Sequence, residues 1–568
     1  MIIGIDMGGT NIDGVAIDEG RLIKHVKRPV DRSDYFLSIW GAIKELLQDV
    51  NKEKISRIQL STTISTNAIV EKRISKVGVI LQRGPGLSWE FDDLGDHVED
   101  VSGSVDHRGI PIASAGTDEL VRIRDDFSHH SVESVALISK FSTRNSTFEK
   151  QAADFLKDSF QNITMGHTLS GKLSFPRRVQ TSYLNAAVSS TFQNFAINIR
   201  NALKREGIDA PIYILKADGG TIDLDGAIAK PVETILSGPA ASFMGMSALL
   251  AQDHIDRCLL DIGGTTTDLF FLVDGVPVFE PSGIEIDGRK TLVRAIYSTS
   301  IGLGGDSYVR IEGGELKIGP KRMDHAIVFG GKYLTPTDAL VYLGDMKVEH
   351  SQKSAEAIEE AAQALQMSAE SFAKKIIAQF CKTIKFAVDS ALQKIHENPV
   401  YTIKELLSDR TLKPESFGVI GGPAEALRGH LQREFNLPVE LPPAFEIANA
   451  IGAALARPTV EITLLADTDR KILSIPELGV YEEIDKSYRL ERAKDRALQE
   501  VHKASEAMGF ASDIAEAEIT EASSFNMIKG YYGADRNIRV KAQIKPGLIT
   551  QAPLTQLKSR NEENDESK

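Results

Sequence analysis

Asp6-Met-Gly-Gly-Thr10-Asn-Ile-Asp13 recurs later in the chain as Asp261-Ile-Gly-Gly-Thr265-Thr-Thr-Asp268. Asp, Gly, Gly, Thr and Asp keep the same offsets in both copies, and each copy follows an apolar run, MIIGI in the first and CLL in the second. With ordinary residue frequencies, a second match at those positions arises by chance on the order of one time in a thousand. The two segments therefore do the same job. An apolar run ending in Asp, then two glycines and a hydroxyl, then a second alternating apolar run, predicts a β-hairpin with a tight turn. Glycines let backbone N–H groups converge on an anion, and Thr10, Thr265 and Thr266 can add hydroxyl donors. A carboxylate at the strand end repels phosphate, but Asp6 and Asp261 can hold Mg²⁺ directly or through its waters, and the cation then bridges to phosphate oxygens. Each copy alone reads better as an ordinary glycine-turn hairpin. The pair points to two phosphate cradles facing one polyphosphate.

At 568 residues the chain exceeds one ordinary core, which predicts about two to four domains. Net charge −13 and the absence of a basic stripe argue against a nucleic-acid surface. No apolar stretch approaches the roughly 18 residues of a membrane span, and the first residues read as a strand rather than a leader, so a soluble cytoplasmic protein is expected. Cys258 and Cys381 lie far apart without CxxC spacing, which excludes a disulfide framework and argues against a thiolate zinc site.

Between the two copies, an amphipathic helix is expected over residues 34–50, then a strand and the polar stretch Ser61-Thr-Thr-Ile-Ser-Thr-Asn67 leading into helix AIVEKR. Ser65, Thr66 or Asn67 would cap that helix, and an anion could sit there. Residues 84–178 read as an inserted substrate or lid module. In it, Asp106 and His107 invite a catalytic reading, but adjacent residues of an extended strand face opposite ways, so adjacency makes no dyad. His129 and His130 read as solvated. A long helix over residues 181–206 reads as an inter-domain connector. Glycine turns follow at Asp218-Gly-Gly220, at Gly302-Leu-Gly304-Gly305-Asp306 and at Gly421-Gly422-Pro-Ala424, with helix over 354–397 between the last two. The small-residue segment 446–454 predicts a closely packed helix. Strands EITLLA, KILSIP and RVKAQI and a charged helix over 486–508 suggest a small appendage, and LKSRNEENDESK reads as a disordered tail.

The paired D-x-G-G-T hairpins and the later G-G-P-A turn look like the phosphate and adenosine motifs of the actin, sugar kinase and heat-shock chaperone ATPase superfamily. More narrowly, GIDMGGTNIDGV, STTISTNAIVEK, ADGGTIDLDGAIAKPVETILSGPAAS, DIGGTTTDL and IGLGGDS resemble the hydantoinase A/oxoprolinase family over roughly residues 1–460. The resemblance implies an α/β chain with a duplicated ribonuclease-H-like, actin-like two-lobed fold and a small α/β C-terminal appendage. The expected divisions are an N-terminal lobe over 1–200 carrying the inserted module, a C-terminal ATPase lobe over 201–458, and the appendage over 459–568. ATP and Mg²⁺ would occupy the interlobe cleft. Asp6 and Asp261 would organise the metal, and Asp268 would fix the second hairpin or position a water. Gly8, Gly9, Thr10, Asn11, Gly263, Gly264, Thr265, Thr266, Gly304 and Gly305 would hold phosphates, and Gly421 and Gly422 would border the adenosine. Asp306 and Asp218 are candidates for activating the nucleophile.

The implied activity is ATP-driven opening of a cyclic amide or carboxylation of a small carbonyl compound, with a hydantoinase B-like second subunit and self-association among the implied partners. A chaperone-like ATPase acting on a partner protein is the alternative. Three segments depart from the family pattern: Leu60-Ser61-Thr62-Thr63 replaces His-Gly-Thr-Thr, GPGLSWEFDD replaces a glycine-phenylalanine-arginine-aspartate stretch, and GPKRMDHAIVFGG replaces GPxSAGxxPGP. These changes put substrate chemistry, more than nucleotide binding, in doubt.

Overall fold

The two repeated segments are β-hairpins with identical register. In the first, strand Ile2–Met7 pairs antiparallel with Asn11–Asp18, and Asp6 lies opposite Asp13. In the second, Arg257–Ile262 pairs with Thr267–Val273, and Asp261 lies opposite Asp268. The account rests on a computed structural model, which describes residues 1–31, 33–86, 90–250, 254–280, 282–313, 315–349, 351–397, 411–510, 517–528 and 534–549.

Each hairpin seeds a sheet of the same topology. Around the first, Arg57–Thr62 adds in parallel on one side, followed by Ile212–Leu215, while Arg21–Pro29 adds antiparallel on the other. Around the second, Ser416–Ile420 and Val439–Glu440 add in parallel, and Ser298–Ile301 pairs antiparallel with the hairpin's outer strand. Both follow the order 3-2-1-4-5, so the fold is the duplicated, actin-like two-lobed α/β architecture. Strands Ile212–Leu215 and Thr221–Asp223 complete the first sheet, although the sequence placed them beyond residue 200 in the second lobe. The parallel partner of Ile212–Leu215 lies some 150 residues upstream, and such crossovers leave no local signal.

Helix Tyr35–Leu46 packs on the first sheet through Ile39, Ala42, Ile43 and Leu46, spaced for one helical face, and Asp34 caps it by accepting a hydrogen bond from the Leu37 N–H. It is shorter than the helix expected over 34–50, because a 3-10 turn, Leu47–Asp49, follows. Helix Ile64–Val70 begins after Thr63, which places Ser65, Thr66 and Asn67 inside it rather than at its cap. Those side chains are used otherwise: Ser65 meets Thr234, Thr66 accepts from the Leu236 N–H, and Asn67 donates to Thr63.

The inserted module starts earlier than residue 84. Its parallel sheet runs Asn162–Met165, Ser134–Ser139, Val77–Gln82, Val98–Asp100, and the two central strands are buried at every position, as a parallel sheet covered on both faces requires. Helix Phe175–Arg205 joins module to lobe: Phe175, Val179 and Ala187 enter the module core, and Phe192, Phe195 and Ile199 enter the first lobe's core. The helix expected over 354–397 is two helices, Gln352–Ala364 and Ala369–Glu397, broken near Gln366 at φ 55°. The appendage has its own core, a five-stranded antiparallel sheet against helix Leu490–Ala507. The segment LKSRNEENDESK lies outside the described residues.

Two short-residue helices form the joint between the lobes. Gly452 of Ala448–Leu455 crosses Gly245 of Ser237–Leu249 so closely that a Cβ on Gly452 would sit 2.2 Å from the Ala241 carbonyl oxygen. Ala454 presses equally on Gly4 of the first lobe, where a Cβ would be 2.4 Å from the Ala454 Cβ. Buried Gln59 donates to the carbonyls of Ala453, Ala454 and Ala456, satisfying the end of this helix from the first sheet.

Candidate functional site

Both glycine turns close in the same way: the Gly8 N–H donates to Asn11 O at 3.0 Å and the Gly263 N–H to Thr266 O at 2.9 Å. Gly9, Thr10, Thr265 and Thr266 are exposed beyond the buried strand ends. A side chain on Gly9 would meet open space, so packing within the turn does not require glycine there.

The joint helix places one residue beside both copies. The Asn449 side chain pulls down the carboxyls of both Asp6 and Asp261, the leading carboxylates of the two hairpins. Ser61, beside Asp6 in the parallel register, supports Asp6, and Ser242 donates to Asp261 Oδ2 at 2.6 Å. Asp6 Oδ1 nevertheless remains buried with no hydrogen-bond partner. A lone buried carboxylate oxygen is costly unless something cationic is to face it.

The electrostatics agree. Burial pushes the Asp6 carboxyl up to about 7, against the pull of Ser61 and Asn449 and with a further push from Asp13 and Asp261. Burial likewise raises Asp261 and Asp13, and takes Asp268 to about 6, where a hydrogen bond from Ser300 opposes it. Lys27 holds Asp13 at 2.7 Å. Clustered carboxylates that resist ionising in the bare protein are what a divalent cation relieves. The donor set, hard oxygens around one orphaned oxygen, fits Mg²⁺.

The segment Gly302–Asp306 braces the second turn. Gly305 and Asp306 donate their N–H groups to the carbonyls of Gly263 and Gly264 at 2.9 and 2.8 Å, and a Cβ on Gly304 would fall 2.5 Å from the Gly264 carbonyl carbon. Loop-on-loop packing therefore accounts for Gly304 and Gly305. At the G-G-P-A turn, Gly421, at φ 102°, lies against the Ile262 backbone, whereas Gly422 faces open space.

Arg322 and His325, in the divergent stretch GPKRMDHAIVFGG, enter here without any advance signal. Arg322 contacts Asp306 Oδ2 at 2.8 Å, Thr265 Oγ1 at 3.1 Å and His325 Nδ1 at 2.7 Å. Burial raises the Asp306 carboxyl, and Arg322 and His325 counter it. Across from them lie Gly9, Thr10 and Val30 of the first lobe, enclosing a cleft of about 370 Å³. The cleft thus has one glycine turn and a guanidinium on opposite walls.

Asp218 is not in that cleft. It is buried with Lys216 at 3.4 Å and accepts from Thr459, beside a separate cavity of about 350 Å³ that Arg294 and Glu461 also line. Lys216, by its charge, is the main pull holding the Asp218 carboxyl low against burial. Asp106 accepts from the N–H groups of Arg108 and Ile110, and Arg108 pairs with Asp467 and Asp469 of the appendage at 2.8 and 2.7 Å. That turn docks the module on the appendage, and His107 is exposed on it. Among the described residues, no helix is long and apolar enough to cross a membrane.

Comparison with known proteins matches residues 2–160 to the hydantoinase/oxoprolinase N-terminal region and residues 178–462 to the hydantoinase/oxoprolinase family. Caprolactamase subunit alpha of Pseudomonas jessenii is 24% identical over 60% of this chain and 54% of its own length. The acetophenone carboxylase gamma subunit of Aromatoleum aromaticum is 24% identical over 60% of this chain and 53% of its own. The solved structure of the Pseudomonas jessenii ATP-dependent caprolactamase superposes with a TM-score of 0.69 at 18% identity, over 97% of this chain and 88% of that one. By sequence, the chain spans about half the length of the curated relatives it matches.

Proposed function

The chain belongs to the hydantoinase/oxoprolinase family, and on that premise we propose that it uses Mg·ATP in the interlobe cleft to activate a small carbonyl compound or cyclic amide. One observation carries the reading: Asp6 and Asp261, both influenced by Asn449, each lie at the end of the first strand of a hairpin whose turn is Gly-Gly-Thr, and Asp6 keeps an orphaned buried oxygen. Asp6 and Asp261 would hold Mg²⁺. The turns Gly8, Gly9, Thr10, Asn11 and Gly263, Gly264, Thr265, Thr266 would receive phosphates, and Gly422 would border the adenosine, with Gly304, Gly305 and Gly421 holding the turns in place. Bound Mg·ATP would supply a phosphoryl group that turns a poor leaving oxygen into a good one. Positioning and charge neutralisation carry most of such a reaction, and these residues supply both.

Arg322 adds a switchable contact. A phosphate at Thr265 would compete with Asp306 for the guanidinium, and its release would leave Asp306 free to orient a nucleophile or accept its proton. Asp268, opposite Asp261 and bonded by Ser300, would fix the second hairpin. Two relatives are named as subunits, which supports a second subunit here as well. A metabolic ATPase of this kind is at home in the cytoplasm.

The test is ADP release measured against a panel of cyclic amides, ketones and small hydroxyl compounds, alone and with a candidate second subunit. Stimulation by one small molecule, lost in Asp306→Asn, is the expected result. Slow turnover that responds only to a partner protein would overturn the metabolic reading in favour of a remodelling ATPase.

A further inference from the structure

The inserted module brings together three side chains that nothing in the nucleotide site uses. His97, Asp126 and His130 each offer a ligand atom, and the three atoms lie within 4.8 Å of one another. Their placement follows from the fold. His97 stands immediately before strand Val98–Asp100, and its carbonyl accepts from the Val79 N–H at 2.8 Å, so the sheet fixes its backbone. Asp126 and His130 are one turn apart at the end of helix Thr117–His129, where Lys76 holds the His130 carbonyl at 2.8 Å. Phe127, fully buried between them in sequence, sets its ring edge-to-face against His97 with centroids 6.3 Å apart, while the His97 and His130 rings lie 5.1 Å apart.

We infer that these residues form a surface site for a divalent transition metal of the zinc class. Two imidazoles and one carboxylate are nitrogen-rich, which favours Zn²⁺, Ni²⁺ or Cu²⁺ over Mg²⁺ and separates this site chemically from the Asp6 and Asp261 pair. Tetrahedral zinc needs ligand atoms about 3.4 Å apart. Rotation of these half-buried or exposed side chains closes the remaining distance, with His130 giving up the contact of its Nδ1 with the Asp126 carbonyl oxygen at 3.0 Å. His129, whose ring is 5.2 Å from that of His130, or a water completes the set. Bound metal would clip the helix end to the strand entry, joining elements 33 residues apart and stiffening the module.

Titration of the full-length protein with ZnCl₂ by calorimetry, with Co²⁺ absorption as a second readout, tests this. One Zn²⁺ per chain is expected, unaffected by excess MgCl₂, with affinity at least about tenfold weaker in His97→Gln, in His130→Gln and in Asp126→Asn. ZnCl₂ should raise the melting temperature of the wild type but not of these variants, while their ADP affinity stays that of the wild type. No zinc binding, or binding equal in the wild type and all three variants, would overturn the assignment.

Discussion

Asp6→Asn should make the nucleotide-free protein more stable at pH 8 while removing its ability to bind Mg·ATP. A carboxyl held at about 7 instead of 3.8 costs ~4 kcal/mol to ionise where it stands. The sign follows from linkage. Because the folded value is raised, the unfolded chain releases this proton first, so stability is lost as pH climbs from about 3.8 to about 7 and is level beyond. Asn keeps the shape, removes the charge and can still bond Ser61 and Asn449. Relative to the variant, the wild type should therefore lose roughly 3 kcal/mol between pH 5 and pH 8. Thermal and urea unfolding at both pH values, in EDTA, measure the difference. Added Mg·ATP should then stabilise the wild type and leave the variant where it was. A variant less stable than the wild type at pH 8, or an offset that does not change with pH, would refute the picture of a desolvated carboxylate awaiting a cation.

Asn449→Ala removes a side chain that favours the ionised form of both leading carboxylates and should cost ~1 kcal/mol in urea unfolding, because Asp6 stays buried. Gly452→Val places carbon where only 2.2 Å separates the ideal Cβ from the Ala241 carbonyl, and should destabilise by ~3 kcal/mol or more in the same assay. Arg322→Gln takes away the main opponent of Asp306 desolvation, so the Asp306 carboxyl rises further and the acid limb of the pH–rate profile moves to higher pH. The same variant should bind ATP about tenfold more weakly by calorimetry, a loss of ~1.4 kcal/mol.

The repeat was legible because hairpins are local: strand, turn and return strand run only from Ile2 to Asp18 and from Arg257 to Val273, and their glycines and carboxylates carry the turn chemistry. The leading carboxylates Asp6 and Asp261 of the candidate site were legible as part of those hairpins. What stayed hidden depends on distance along the chain. Strand Ile212–Leu215 joins the first sheet through a partner at Arg57–Thr62, and no periodicity within either strand records that pairing. Asn449 sat in a segment whose small residues announce close packing, and its one polar side chain was the clue to something more. Arg322 and His325 were read as divergence, since a basic pair gains meaning only when a glycine turn is folded opposite it. Ser65, Thr66 and Asn67 have the composition of a helix cap, but Thr234 and Leu236 claim the two hydroxyls, Thr63 takes the Asn67 amide, and the helix starts before them. His130 is exposed, as its sequence context suggested, and the sheet in addition brings His97 beside it.

Equilibrium binding of ATP with and without Mg²⁺, in the wild type and in Asp6→Asn and Asp261→Asn, tests the two-cradle cleft most directly. The expected result is binding that requires Mg²⁺ and weakens by about a hundredfold or more, ~3 kcal/mol, in either variant. Equal affinity with and without Mg²⁺, unchanged when both carboxylates are replaced, would contradict it.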